Sequence, residues 1–224
     1  MTNEDLESRV RKLETKTRKL KASLEHSTAV LEIMNLQSMY NHVLGSDHQR
    51  IWTEYFAHKY PHLKDEVVES GVFEGLEEVT RKMESGGFGP AKIERGFLGL
   101  IYSLTPCVVV DKDGKTAKGV WHMWGPHGMT NTPYPGDERK MVAYWFIGKY
   151  SNEFVKEDGR WKCFSRQVIS YIRTPYDQGW LRQPDCRRIG AQKDAQPPSV
   201  LMLRAPYHPD GVFYPIPAPP EPEE

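Results

Sequence analysis

The 224-residue sequence has little cysteine, no net charge and no long apolar run, and each shortage removes a class of function. Three cysteines (Cys107, Cys163, Cys186) are an odd number without a Cys-x-x-Cys, which argues against a disulfide framework or a thiolate metal site and for thiols in a reducing compartment. Thirty basic and thirty acidic side chains cancel, so no global field draws the chain to nucleic acid or to an acidic membrane. No stretch reaches the roughly 18 apolar residues of a membrane span. The chain opens on Asn3, Glu4 and Asp5 rather than on a basic and then apolar segment, and the expectation is a cytoplasmic protein. Also lacking are a phosphate loop ending in Lys-Ser/Thr, a Gly-x-Ser-x-Gly elbow and a His-Glu-x-x-His pair. His58 and His62 are four apart, but Pro61 breaks the helix that would aim both at one metal. Neither metal nor cofactor is expected.

Proline and glycine are absent from Glu4 to Leu44, which predicts one long helix capped by Thr2 or Asn3 with acidic residues in its first turn. Leu6, Leu13, Leu20, Ser27 and Met34 recur every seven residues, and so do Val10, Thr17, Leu24 and Leu31. Interleaved, they form an a/d seam weakened at Thr17 and Ser27. Two readings stand: a self-associating coiled coil, dimeric or trimeric, or a helix packed back along its own domain. From Ile33 the apolar pattern widens toward a domain core, and Gly45 ends it. Ser46 or Asp47 can cap a second helix through Ile51, Trp52, Tyr55 and Phe56.

Short strands follow. Val67–Phe73 is a strand candidate, Leu76–Met83 a helix, and Leu100–Val110 and Lys115–Trp124 are strands joined across Asp111–Gly114. The segment from Phe88 to Gly99 has no sustained period, and Gly125–Asp137 reads as a loop. The clearest hairpin joins Tyr144–Val155 to Arg160–Tyr171 through Asp158-Gly159, residue types that accept positive φ. Its aromatics, Tyr150, Phe154, Trp161 and Phe164, suit either a packed core or the mouth of a small-molecule cavity. With 38% hydrophobic residues the chain can bury one sizeable core. After Thr174, recurrent prolines exclude regular elements. The apolar patch of Val200–Leu203, Tyr207 and Val212–Tyr214 predicts an extended tail wrapped over the domain or a neighbour.

The hairpin segment GKYSNEFVKEDGRWK, with Met39-Tyr40, the helix start at 73–79 and the turn segment at 110–119, resembles the SnoaL-like family of the nuclear transport factor 2-like superfamily over about Ile33–Thr174. That resemblance implies an α+β cone, a strongly curved and mostly antiparallel sheet closed by helices. With the heptad seam before it and the prolines after it, the expected division is a coiled-coil helix at 1–32, the domain at 33–174 and a Pro-rich tail at 175–224. The resemblance also implies a cofactor-free lyase (dehydration or C–C cleavage) acting on an aromatic or polyketide-like molecule. The alternatives are an isomerase or cyclase, or a non-catalytic binding or assembly module.

Apolar cones tune weak acids and bases toward neutrality, so His, Tyr, Asp and Arg are the residues to weigh. Tyr40 and His122 are the candidate catalytic pair, one polarising an oxygen and the other taking a proton; each is also a plausible core residue. In the scytalone dehydratase branch a Tyr-Asp pair stands where this chain reads Tyr40-Asn41, so the tyrosine is kept and the carboxylate is not. Strand alternation puts Val120, His122 and Trp124 on one face and Trp121 and Met123 on the other, without saying which faces inward. Lys118 shares the parity of His122. Asn41, Asp47, Trp124, His127, Asn131, Tyr144 and Arg166 are candidate substrate-binding residues, with His127 and Asn131 on the Gly/Pro loop and capping a full alternative role for Asp47. Removing residues 1–30 is expected to lower the oligomeric state, as sedimentation would show.

Overall fold

The structure, a computed structural model, describes residues 3–67, 71–84, 98–130, 141–182, 209–213 and 216–222. Helix α1 runs unbroken over Asn3–Val43, as the missing prolines and glycines require. Its surface is exposed to residue 28, and burial begins at Ala29 and recurs at Ile33, Gln37 and Tyr40. A short turn, α2 (His48–Arg50), runs into a π-helical turn at Ile51–Tyr55. A third helix, α3, spans Leu76–Glu84. The described residues also form seven strands: β1 (Lys64–Val67), β2 (Gly71–Glu74), β3 (Leu98–Gly99), β4 (Tyr102–Val110), β5 (Thr116–Thr130), β6 (Met141–Glu157) and β7 (Arg160–Pro175).

They form one sheet in the order β2-β1-β7-β6-β5-β3, with β4 also paired to β5. Among these strands β1 runs parallel to its neighbour β7 and the other pairs are antiparallel, and Phe56 adds an isolated parallel bridge to Cys163 of β7. Asp158 (φ 51°) and Gly159 (φ 77°) turn β6 into β7, the two positive-φ residues a tight hairpin needs. The expected single strand at 67–73 is instead the hairpin of β1 and β2. The expected loop at 125–137 is a strand as far as Thr130, because Gly125–Thr130 stay in register with Met141–Phe146. Residues 85–97 and 131–140 lie outside the described residues.

The sheet curls into a cone at three irregularities: Leu104/Cys107, Ile147/Gly148 and Glu153/Phe154. Gly148 lets β6 and β7 approach at the second of them, where a Cβ would lie 2.0 Å from the Ile169 carbonyl oxygen. The second half of α1 and the π-helical turn cover the concave face, packing Ile33, Tyr40, Tyr55 and Phe56 onto Trp121, Tyr150, Phe154 and Cys163. The far side of the sheet takes part of the C-terminal segment. There Tyr171 donates to the Ile216 carbonyl (2.7 Å), Lys149 donates to that of Pro217 (2.5 Å), and Phe213 packs edge-on to Tyr171. Val200–Leu203 and Tyr207 lie outside the described residues. No helix among the described residues is long and apolar enough to cross a membrane. Gly148→Ala should destabilise the fold by about 1–3 kcal/mol, the usual cost of overpacking, measured by urea denaturation.

Candidate active site

Strand alternation decides which side chains reach the concave face: odd positions of β5 (Ala117, Trp121, Met123, His127) and even positions of β6 (Tyr144, Phe146, Tyr150, Asn152, Phe154). At the hairpin end this face is filled. Tyr40 packs against Tyr55 (centroids 4.8 Å apart) and edge-on to Tyr150 (5.8 Å). Gln37, Tyr55 and Asn152 close a buried hydrogen-bond ring: Tyr55 and Asn152 donate to Gln37 Oε1 at 2.8 and 2.9 Å, and Asn152 also donates to the Tyr55 hydroxyl.

Beneath Tyr40 lies a buried charge cluster. Arg166 makes a two-pronged contact with Asp65, Nε to Oδ1 at 2.7 Å and Nη2 to Oδ2 at 2.9 Å, and Lys82 donates to Oδ2 at 2.5 Å. Arg166 Nη1 also donates to the Tyr40 hydroxyl at 2.5 Å. Burial alone would raise the Asp65 carboxyl, but the Arg166 and Lys82 cations outweigh it and hold the group below its usual value. Burial pushes the Tyr40 hydroxyl up, against the lowering effect of Arg166. Tyr40 and Arg166 are thus brought together. Asn41 turns instead to β4 and donates to Ser103 Oγ at 2.6 Å.

At the other end of the concave face stand His127, Tyr144, Phe146 and Arg173. The His127 ring lies 5.3 Å from that of Tyr144 and 5.4 Å, edge-on, from that of Phe146. Its Nδ1 is 3.3 Å from the Tyr144 hydroxyl, which also accepts from Arg173 Nη2. The Arg173 guanidinium lies over the Tyr144 ring, 4.5 Å from its centroid. His127 Nε2 is buried, with no hydrogen-bond partner among the described residues. Burial first, and the Arg173 charge second, lower the His127 pKa to about 3, so the imidazole is neutral at neutral pH.

Arg173, which the sequence did not mark as a candidate, is brought to the concave face beside Tyr144 and Phe146. Counting by twos inward from Arg166 turns Arg173 outward; the irregularity at Ile147/Gly148 reverses the phase and sets it opposite Phe146. Asp65 and Lys82 were also missed, since nothing in a short strand and a short helix marks two charges for burial.

Three candidates are corrected. His122 lies exposed on the convex face, Nδ1 2.7 Å from Thr105 Oγ1, while Tyr40 sits on the concave side, so the two do not share a cavity. Trp124 has the same parity; it is 39% exposed and stacks between Tyr102 and Trp145 on the outside of the sheet. Asp47 is exposed and caps α2, accepting from the Arg50 backbone N–H at 2.9 Å. Asn131 lies outside the described residues. A groove of about 340 Å³ between α1 and the β6–β7 turn, with Leu36, Met39 and Trp161 in its wall, contains none of the candidates. Among the described residues no three His, Cys, Asp or Glu side chains gather as metal ligands would.

Between the ordinary histidine pKa near 6.5 and the folded value of about 3, the unfolded chain binds a proton at His127 that the folded chain refuses. Stability should therefore fall as pH drops through that window. His127→Gln should flatten this acid limb relative to the wild type, read as urea midpoints from pH 7 to pH 4.

None of the curated proteins matches the sequence. Among solved structures, a candidate scytalone dehydratase from Novosphingobium aromaticivorans is similar at 16% identity and a TM-score of 0.54, covering 75% of this chain and 97% of that one. A type 2 hexachlorocyclohexane dehydrochlorinase (LinA) is similar at 13% identity and a TM-score of 0.51, covering 68% of this chain and 92% of that one. A type 3 LinA from Novosphingobium barchaimii has 13% identity and a TM-score of 0.50, with 68% and 93% covered. At such identities the likeness is one of fold. The model of the SnoaL-like domain matches residues 25–167, well over half of the chain, and the chain, with its curled sheet and covering helix, belongs to the SnoaL-like family.

Proposed function

We propose that this chain is a cofactor-independent lyase that removes water from, or cleaves a C–C bond in, a hydroxylated aromatic or polycyclic molecule on the concave face of the cone. The observation that carries the reading is the His127 imidazole, held neutral between aromatic rings with its Nε2 buried and without a hydrogen-bond partner among the described residues. Arg173 occupies one lone pair of the Tyr144 oxygen, and an Nδ1–H on His127 can fill another, which leaves the Nε2 lone pair for the substrate. In a dehydration, Nε2 takes the proton from the carbon next to the substrate's carbonyl or phenol system. The C–H electrons become the new C=C bond, the neighbouring C–O bond breaks, and the departing oxygen receives the proton from Nε2, releasing water and restoring the neutral imidazole. The imidazolium is unfavourable in this site and persists only beside the developing anion, which favours prompt return of the proton. Arg173 supplies positive charge next to that anion, and Arg166, with Tyr40, supplies more at the closed end.

Two structures that share the fold carry the names of eliminating enzymes, so elimination is the reaction to test first. Isomerisation would use the same parts. A non-catalytic binding or assembly module is the second reading, favoured by the side-chain filling of the hairpin end and by the exposed apolar seam of α1. In both readings α1 joins copies into a homo-oligomer, and the cytoplasm suits the free thiols of Cys107 and Cys163. Against a panel of hydroxylated phenylpropanoid and polyketide-like compounds, His127→Ala should lower kcat by about 10²–10⁴-fold on any compound turned over. His122→Ala, on the convex face, should change it by less than about twofold. Full activity in His127→Ala overturns the assignment, and saturable binding across the panel without turnover favours the binding module.

A further inference from the structure

We propose that the N-terminal half of α1 is the docking surface for a second copy of this chain, and that the two helices run antiparallel with residues 6–31 overlapped. The inference rests on the self-association reading above and adds its stoichiometry, orientation and register. Leu6, Val10, Leu13, Leu20, Leu24 and Leu31 are between 43% and 67% exposed, an apolar load that a monomer leaves in water. The stripe is also turned away from the domain. At about 100° per residue, Leu31 lies roughly 160° around the helix from the buried Ile33, so a second helix can lie on the seam without meeting the domain behind it.

The flanking charges select the orientation. With Val10, Thr17, Leu24 and Leu31 as a positions and Leu6, Leu13, Leu20 and Ser27 as d positions, the e positions are Glu7, Glu14, Lys21 and Thr28. The g positions are Arg9, Lys16, Ser23 and Val30. In a parallel dimer each g residue faces the e residue five places on in the partner. Arg9 then meets the partner's Glu14 favourably, but Lys16 meets the partner's Lys21.

In an antiparallel dimer a faces d, e faces e, and g faces g. Pairing Leu31 with the partner's Leu6, and Leu24 with the partner's Leu13, uses every seam layer from 6 to 31. Glu14 then faces the partner's Lys21 twice by symmetry, and no like charges meet, because Lys16 faces Ser23 and Arg9 faces Val30. Sliding by one heptad in one direction sets Glu14 on Glu14 and Lys16 on Lys16, and in the other Lys21 on Lys21. Opposed helix dipoles favour the same orientation. Thr17 and Ser27 do not discriminate, since a helical hydroxyl can bond the carbonyl four residues back, as Thr15 does to Arg11 at 2.9 Å.

Lys21→Glu separates the orientations by sign. In the antiparallel pair it turns both Glu14 contacts repulsive and should raise the dimer Kd about tenfold at low salt; in a parallel pair it relieves the Lys16 clash and lowers Kd. The doubly exchanged Glu14→Lys, Lys21→Glu chain should return to about wild-type Kd, which in the antiparallel pair is a rescue of the dimer weakened by Lys21→Glu and in a parallel pair a loss from the dimer tightened by it. Sedimentation equilibrium on the full chain gives the Kd, with helicity at 222 nm checked because Lys21 also lies 4.0 Å from Glu25. Scattering by the wild type should show two masses about 50 Å apart, the separation of the two copies of residue 36 at about 1.5 Å per residue. A tighter or unchanged Lys21→Glu dimer, or side-by-side domains, overturns the antiparallel pairing alone. A wild type that stays monomeric at 100 μM (about that concentration being accessible to sedimentation) overturns self-association as well, and a trimer overturns the pairing.

Discussion

The paired charges of Asp65 and Arg166 are the constraint on which the rest of the cone depends. They are register partners in the parallel pairing of β1 with β7, and both are essentially sealed from water. Taking two ions out of water is expensive, and geometry has to return the cost. Here the guanidinium meets the carboxylate with two nitrogens, Lys82 of α3 binds the same carboxylate, and Tyr40 of α1 accepts from Arg166. Four elements therefore share one electrostatic knot: two strands, the short helix and the long one. A shift in any of them leaves a buried charge without its counterpart, which makes the placement of α1 over the sheet specific rather than merely greasy.

The concave face is a surface of two unlike halves. Around Tyr40, Tyr55, Gln37 and Asn152 every group named has found a protein partner, and the aromatic rings close the space between them. Around His127 the aromatic walls continue, but a ring nitrogen has no partner among the described residues and a guanidinium lies against a phenol. Close aromatic packing at one end and an imidazole beside a guanidinium at the other is the division a binding cone needs. The filled half fixes the strands, and the open-valence half is where a ligand's own polar groups would be recognised.

How far the sequence could be read depended on whether a signal was local. The uninterrupted α1, the positive-φ turns at Asp158-Gly159 and Gly114, and the long β6–β7 hairpin rest on backbone preferences of a few neighbouring residues, and the structure has them where those preferences put them. The loop after Trp124 was misjudged for the complementary reason. Gly125 and Pro126 discourage a strand in isolation, yet pairing with β6 carries β5 through them, and Gly125 is needed because a Cβ there would meet the Leu100 carbonyl oxygen at 1.8 Å.

Alternation along β5 was visible in the amino acids: Trp121 and Met123 had to share one face and His122 and Trp124 the other. Which face turned inward was not, because period-two patterning is symmetric until a helix chooses a side, and α1 chose the side of Trp121. The amino-acid sequence by itself determined the helix, the hairpins, the family and the pool of ionisable side chains. Only the tertiary structure decided that His127 rather than His122 shares the inside of the cone with Tyr40, and that Arg173 joins it. The first follows from where one helix lies and the second from a single irregularity between β6 and β7, both of them contacts between segments far apart in the chain.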